Sequence, residues 1–417
     1  MQQVVKTEIE NTFEVYFNSK SRSEFQRKAF AGFLEQGIPD KKNEEYKYTP
    51  LKRIFEKNFT SFSLSDSGLN QEDVEKFFVR EDGHHLVFIN GKFEKVLSQI
   101  ADDKLEISEI SDTSILNKIS KPETDSLAAL NTAFFESGLK ISVPKNTAGL
   151  PVFLYQVIDN RTGGVLANPR IFVEAEQGGE LKIAEKTFTL GEEKTLINKI
   201  YEVDLAQNAS VNFSKIQNYS PSIYEVDGLN ARQTRDSRFY ANTFSFGGGL
   251  IRNNLNIDLI DEHCETHMHG LYLLTGKSHV DNHTSVDHIE ANSFSNEVYK
   301  GIVDDRATAV FNGKIFVRPG AQQTNAFQAN NNIALSETAT IHTKPQLEIW
   351  ADDVKCSHGC TIGQIDEEAI YYLRTRGIDK NTARAMLLVA FAEESFEFIP
   401  FDFIKEELHE IIEERLA

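Results

Sequence analysis

Val152-Phe153-Leu154-Tyr155-Gln156-Val157, Arg170-Ile171-Phe172-Val173-Glu174 and Leu181-Lys182-Ile183 open a region of short strand-like runs that extends over residues 140–362. Ile141-Ser142-Val143 precedes them. Leu255-Asn256-Ile257-Asp258-Leu259, Ala309-Val310-Phe311 and Ile315-Phe316-Val317 continue the series, with Gly, Asn and Asp between the runs. Helical periodicity is absent throughout, a pattern that suits a sandwich, a barrel or a β-solenoid. The region is long for one sandwich, and residues 275–292 and 322–332 are rich in Asn, Thr, Ser and His, as stacked polar ladders tolerate. Both features favour a solenoid. No fixed hexapeptide or nonapeptide repeat accompanies them, so periodicity leaves solenoid and sandwich both open.

The flanks are helical. Over residues 21–37, Phe25, Ala29, Phe30, Phe33 and Leu34 recur at spacings of three and four, and Gly37 and Pro39 supply the stop. Residues 86–89 alternate into Asn90-Gly91, a tight-turn signal, and a helix is predicted over residues 125–136. After the strands, Asp366 reads as an N-cap with Glu367 and Glu368 in the first turn, and Gly377 as the residue past the helix end. A second helix begins near Asp379, with Ala383, Met386, Leu387, Ala390 and Phe391 predicted on its apolar side. A third runs from Asp402, with Ile404, Leu408, Ile411 and Ile412 as its stripe. Such helices serve equally as a polar cover for a solenoid end or as a docking surface. The predicted organisation is a mostly helical unit at 1–137, a β unit at 138–361 and a helical unit at 362–417.

At 417 residues the chain exceeds the usual size of one core. Its formal charge of -19 opposes binding to nucleic acid or anionic membranes. Three cysteines are too few for a disulfide framework, which points to a reducing compartment. The N-terminal residues form no apolar signal segment and no run approaches a membrane span, so cytoplasm is the expected location.

The densest chemistry is Cys356-Ser357-His358-Gly359-Cys360, two thiols and an imidazole within five residues. Thiolates and imidazoles suit iron, zinc, copper or sulfur-bearing clusters rather than magnesium or calcium. Lys355, Ser357, Gly359 and Thr361 give these groups polar company, unlike a packed core. Six of the eleven histidines lie at 263, 267, 269, 279, 283 and 288. His263 and His267 have helical metal-site spacing but sit in strand-like sequence, where residues four apart stand roughly 13 Å from each other. No His-Glu-x-x-His motif is present. Gly247-Gly248-Gly249 lacks the Lys-Ser/Thr of a P-loop, so ATP chemistry would have to come from another protein.

Gly270-Leu271-Tyr272-Leu273-Leu274-Thr275-Gly276-Lys277-Ser278-His279-Val280-Asp281-Asn282-His283-Thr284 resembles the core signature of the SufB/SufD family of iron–sulfur cluster assembly proteins. So does the run from Lys344-Pro345-Gln346-Leu347-Glu348-Ile349-Trp350 into Lys355-Cys356-Ser357-His358-Gly359, and Asp366-Glu367-Glu368-Ala369-Ile370-Tyr371-Tyr372-Leu373 continues the likeness. Glu44-Glu45-Tyr46-Lys47-Tyr48-Thr49-Pro50-Leu51 resembles the SufD-type entry. The likeness runs essentially end to end, and motif 355–359 is closer to SufD than to SufB.

The resemblance implies a right-handed parallel β-helix flanked by N-terminal and C-terminal helical domains. It implies a non-catalytic scaffold working with a SufB-like paralogue and a SufC-like ATPase, and a homodimer is open for the isolated chain. The cargo would be a transient iron–sulfur cluster, with reduced flavin at the level of the complex. His358 would be the metal ligand, with Cys356 and Cys360 as further candidates; relatives commonly carry a small residue at position 360. The ATPase would dock on the C-terminal helices, through Asp366, Tyr371, Met386, Leu387 and Phe391. Most of the clustered histidines would then belong to the β-helix core and its dimer face. The rivals are a metal-dependent hydrolase built on the histidine cluster and a carbohydrate-active β-helix.

Overall fold

The computed structural model describes residues 7–64 and 66–416. Two ten-stranded sheets stack side by side, and consecutive long strands alternate between them. Ser210 pairs with Arg238, Arg238 with Glu265, Glu265 with Phe294, Phe294 with Asn325 and Asn325 with Lys355, all in parallel, so one turn takes about 30 residues. The chain is a parallel β-solenoid with two strands per turn. A repeat of that length, with turns of unequal size, leaves no short sequence period.

The solenoid starts before residue 138. His84–Ile89 pairs in parallel with Val152–Ile158, while its hairpin partner Lys92–Phe93 closes the first sheet. The hairpin turns at Asn90 and Gly91, whose φ angles of 49° and 85° are the left-handed values that a two-residue turn requires.

Side chains alternate between the interior and two covered faces. The interior joins residues such as Ile183, Val203, Phe213, Phe239, Ile257, Met268 and Val280 in one core. The outer face of the second sheet is covered by helices Glu8–Asn18, Glu24–Gln36, Leu51–Asn58 and Ser126–Phe134, whose Phe13, Phe17, Phe30, Phe33 and Phe55 meet Leu196, Tyr224, Val226 and Leu250. The outer face of the first sheet is covered by Lys380–Glu393 and Asp402–Leu416, which bury Phe153, Phe244, Phe246, Leu271, Leu273 and Ile302. Full burial of each such side chain contributes about 1.5–3 kcal/mol, so these helices are part of the fold.

Helix starts follow the expected capping. Asp366 accepts the amides of Glu368 and Ala369, and Asp379 those of Asn381 and Thr382. Ile404, Leu408, Ile411 and Ile412 are buried as predicted. The second C-terminal helix differs. It buries Ala383, Leu388 and Ala392 and leaves Met386 and Ala390 outside, correcting the predicted stripe. The reason is composition: residues 385–392 are apolar all round, so periodicity cannot select a face, and contact with the sheet does.

Candidate functional site

The Cys-Ser-His-Gly-Cys run lies on Lys355–Gly363, the last strand of the first sheet. Among the described residues its one ladder is with Asn325–Ala334, where Ala326 faces Cys356, Gln328 faces His358, Asn330 faces Cys360 and Asn332 faces Ile362. Ala326, Gln328, Asn330 and Asn332 are all buried. Neighbouring residues of a parallel ladder project to the same side, so Cys356, His358 and Cys360 share the inward face of the last turn. Cys356 packs against Ile315, Val317, Ala326 and Ala351. Among the described residues no further strand follows, so His358 and Cys360 are exposed at an open solenoid end. Thr340–Ile349 ends the second sheet in the same way. Each terminal strand therefore presents unpaired backbone groups along one edge.

The three thiols differ. Burial pushes the Cys356 thiol up, although the Ala326 backbone opposes it. Cys264 is enclosed, donates to the carbonyls of Asp261 at 3.2 Å and Thr234 at 3.3 Å, and is pushed up to about 11 by burial. Cys360 is exposed. Only Cys356 and Cys360 lie on the last turn with His358, and no group of three or more His, Cys, Asp or Glu side chains converges as a metal cage among the described residues.

Beneath the open end the interior is polar. Gln328 Nε2 donates to Glu297 Oε2 at 2.6 Å, and burial pushes the Glu297 carboxyl up to about 7. Tyr272 donates to Asn332 at 2.5 Å, and Asn330 donates to Tyr272 at 2.9 Å. Further from the end, Lys199 bridges Glu185 at 2.5 Å and Glu225 at 2.9 Å, and Lys215 pairs with Asp227 at 2.5 Å. Sequence reasoning found the ladder composition but not Gln328 or Glu297, because alternation does not say which parity faces inward.

The six clustered histidines occupy four separate environments. His263 sits in a turn at φ 61°. His267 and His269 face outward on the first sheet beneath Phe398, at ring separations of 4.3 and 4.9 Å. His288 is interior and within 2.9 Å of the Ser295 hydroxyl. His279 and His283 lie on the second sheet's outer face, where they hold the segment around residues 44–51.

That segment is a latch. Arg252 donates to the Glu45 carbonyl at 2.8 Å and to Asp281 at 2.6 Å, and stacks over the Tyr46 ring at 4.3 Å. His283 reaches Asp281 at 3.0 Å and Glu45 at 3.3 Å, while Lys314 also pairs with Glu45. The hydrogen bond from His283, then Lys314, holds the Glu45 carboxyl at about 2 against its burial. Burial alone would raise Asp281, but Arg252 and His283 hold it far below the usual range. Lys344 anchors Glu44 at 2.5 Å.

On the C-terminal helices, Tyr371 is 70% exposed, Tyr372 57% and Met386 48%. Leu387 and Phe391 are half-buried, and Phe391 packs toward the first sheet. The Asp366 carboxylate is engaged in capping.

Fold and site together define a class: a two-sheet parallel solenoid, sheathed by helices on both faces, with an imidazole and two thiols on its last turn. Residues 157–391 match the family described as SUF system FeS cluster assembly, SufBD core domain, and residues 11–149 match the SufBD protein N-terminal region. The chain belongs to this SufBD family. It is 29% identical over 387 residues to the iron–sulfur cluster assembly protein SufD of Escherichia coli, covering 92% of this chain and 90% of the relative. It is 31% identical over 397 residues to an iron–sulfur cluster assembly SufBD family protein of Synechocystis, covering 90% and 87%. Protein ABCI7, chloroplastic, of Arabidopsis thaliana is 34% identical over 237 residues, covering 56% of this chain and 50% of the relative. Among the described residues, no helix is long and apolar enough to cross a membrane.

Proposed function

We propose that this chain is the SufD-like scaffold subunit of a SufBCD-type complex, where it contributes ligands to a nascent iron–sulfur cluster at the junction with a SufB-like paralogue. The observation that carries this reading is the open last turn. It sets His358, Cys356 and Cys360 in line on one face, beside a strand edge free to pair with another chain. Among the described residues no three ligand side chains converge to enclose a metal, and in this reading a second subunit completes the set. His358 supplies an imidazole, and the Cys356 and Cys360 thiols stand two residues to either side.

ATP hydrolysis belongs to a SufC-like partner docked at residues 362–417. Tyr371 and Met386 are exposed apolar anchors there, next to Leu387 and Phe391. Because the second and third of these helices also cover the first sheet, movement of the ATPase pulls on the same solenoid that presents His358. A reducing, cytoplasmic setting keeps the Cys356 and Cys360 thiols available. In the absence of the paralogue the same edges would pair two copies of this chain.

The test is co-expression with the ATPase and the paralogous subunit, followed by anaerobic reconstitution with iron and sulfide. The expected result is a ternary complex whose cluster absorbance depends on this chain. A chain that stays alone, or a complex that builds clusters equally well without it, overturns the reading.

A further inference from the structure

The inward face of Lys355–Gly363 changes character along its length. At its start, Cys356 stands beside Ala326 in the ladder and packs with Ile315, Val317 and Ala351. Two residues on, His358 stands beside Gln328, and two further again Cys360 stands beside Asn330. Asn330 is buried but polar: it donates to the Tyr272 hydroxyl at 2.9 Å and accepts from Asn332 at 2.8 Å. The strand thus passes from apolar neighbours at Cys356 to hydrogen-bonded ones at Cys360. His358 and Cys360 are exposed, whereas Cys356 is half-buried.

Strand geometry limits what these three side chains can share. Alternate residues stand about 7 Å apart and residues four apart about 13 Å. A thiolate binds a metal at about 2.3 Å, so a cysteine reaches an ion no more than about 5 Å from its own Cα. Two cysteines at full stretch therefore span about 10 Å, short of the distance from Cys356 to Cys360. One ion cannot hold both. The same distance excludes a disulfide between them, which needs Cα atoms within about 7 Å. His358 can share an ion with one thiol only, and the surroundings decide which. Drawing Cys356 to a metal would take its side chain from apolar neighbours and set a charge beside them, which is costly. Cys360 carries neither cost.

We propose that His358 and Cys360 form a two-ligand site for a borderline divalent metal such as iron(II), and that Cys356 is a packing residue outside it. Imidazole and thiolate together suit such an ion. The inference rests on the reading of the last turn as a cluster-assembly site and narrows it. This chain brings one nitrogen and one sulfur, and the other positions of a four-coordinate ion are left for sulfide, water or the second subunit.

The probe is cobalt(II), added alone and without oxygen to the reduced full chain, because a bound thiolate gives it a near-ultraviolet charge-transfer absorption. That absorption should appear in the wild type and in Cys356→Ala, which keeps the apolar packing. It should be lost in Cys360→Ser and shift to higher cobalt concentration in His358→Ala. Zinc should slow alkylation of Cys360 but not of Cys356, and His358→Ala should remove that protection. Absorption that survives in Cys360→Ser, disappears in Cys356→Ala or is absent from the wild type overturns the inference. So does zinc protection of Cys356, or protection of Cys360 that ignores His358→Ala. If the cobalt site behaves as stated but the reconstituted complex builds clusters equally well without this chain, the site stands and the scaffold reading fails. If the cobalt site fails while His358→Ala still stops assembly, the scaffold reading stands and this inference falls.

Discussion

The middle of the solenoid and its last turn are built from the same kind of strand, yet their polar residues do opposite jobs. Around Lys199, the charges are fully enclosed: Lys199 pairs with Glu185 and Glu225, Lys215 pairs with Asp227, and all five are buried. At Lys355–Gly363 the inward face continues, but no strand covers it, and the polar groups stand exposed. A buried polar group without partners is costly, so an interior can hold charge only as a closed network. An end has no such restriction. What it leaves unpaired can serve a partner or a metal, and in this chain the thiols and imidazole are found there.

The largest difference should appear in stability. Lys199→Met removes the one cation between Glu185 and Glu225, and breaking a buried pair in this way costs about 3–5 kcal/mol. His358→Ala on the open strand should stay within about 0.5 kcal/mol of wild type, as exposed substitutions usually do. Urea unfolding of both variants checks the contrast, and equal losses would break it.

A second consequence concerns the C-terminal helices, which combine both behaviours. Leu388 and Ala392 are closed against the sheet, whereas Tyr371 and Met386 are left open. Tyr371→Ala combined with Met386→Ala should preserve the unfolding transition and weaken ATPase binding by about 2 kcal/mol, near 30-fold in Kd. Deleting the helices is a poorer experiment, because it would uncover Phe244, Phe246, Leu271 and Leu273. Titration of the ATPase against each chain gives the answer, and unchanged affinity would return these side chains to a purely covering role.

A smaller effect sharpens the boundary between the two regions. Glu297, beneath the last turn, has its carboxyl pushed up to about 7 by burial, from about 4.3 in an unfolded chain. The folded protein therefore holds a proton that the unfolded chain has lost between those values. That contribution to stability is complete below about pH 4.3 and is lost as pH rises toward 7. Glu45 has the opposite sign: held at about 2, it supports the fold above about pH 4.3 and loses that support toward pH 2. Glu297→Gln should reduce the fall in stability between pH 5 and pH 8, measured by urea unfolding at each pH. An unchanged fall would show that Glu297 is ionised in its site.

The smallest effect is a matter of rate. Cys360 should alkylate first and Cys356 more slowly, while Cys264, enclosed and pushed up to about 11, should react only on unfolding. Mass spectrometry over a time course reads the order. Early labelling of Cys264 would contradict the closed core.

Much of this was readable from residue types. Asp366 and Asp379 announce helix starts, Gly377 ends a helix at φ 90°, and Asn90-Gly91 marks a hairpin, because each depends on local backbone chemistry. The Cys-Ser-His-Gly-Cys run stood out by ligand type, but its inward orientation did not, since parity is set by the neighbouring strand. His84–Ile89 could not be placed either: its partner Val152–Ile158 lies more than 60 residues away, and an intervening helix and loops separate them. The histidine cluster forms no single site for a related reason. Closeness in sequence spreads over two sheets and two faces once the chain winds, so His267, His279 and His288 share no site. The apolar helix 380–393 hid its buried side, because no polar face was there to define it.

The most direct measurement of the central claim is the rate of cluster assembly in the purified complex carrying His358→Ala, beside a His263→Ala control. The open-end account predicts that His358→Ala forms the complex normally and assembles clusters about 10-fold or more slowly, while His263→Ala, in its turn at the solenoid surface, has a smaller effect. Wild-type assembly by His358→Ala in an intact complex would contradict it, and would send the search for the ligand to Cys360.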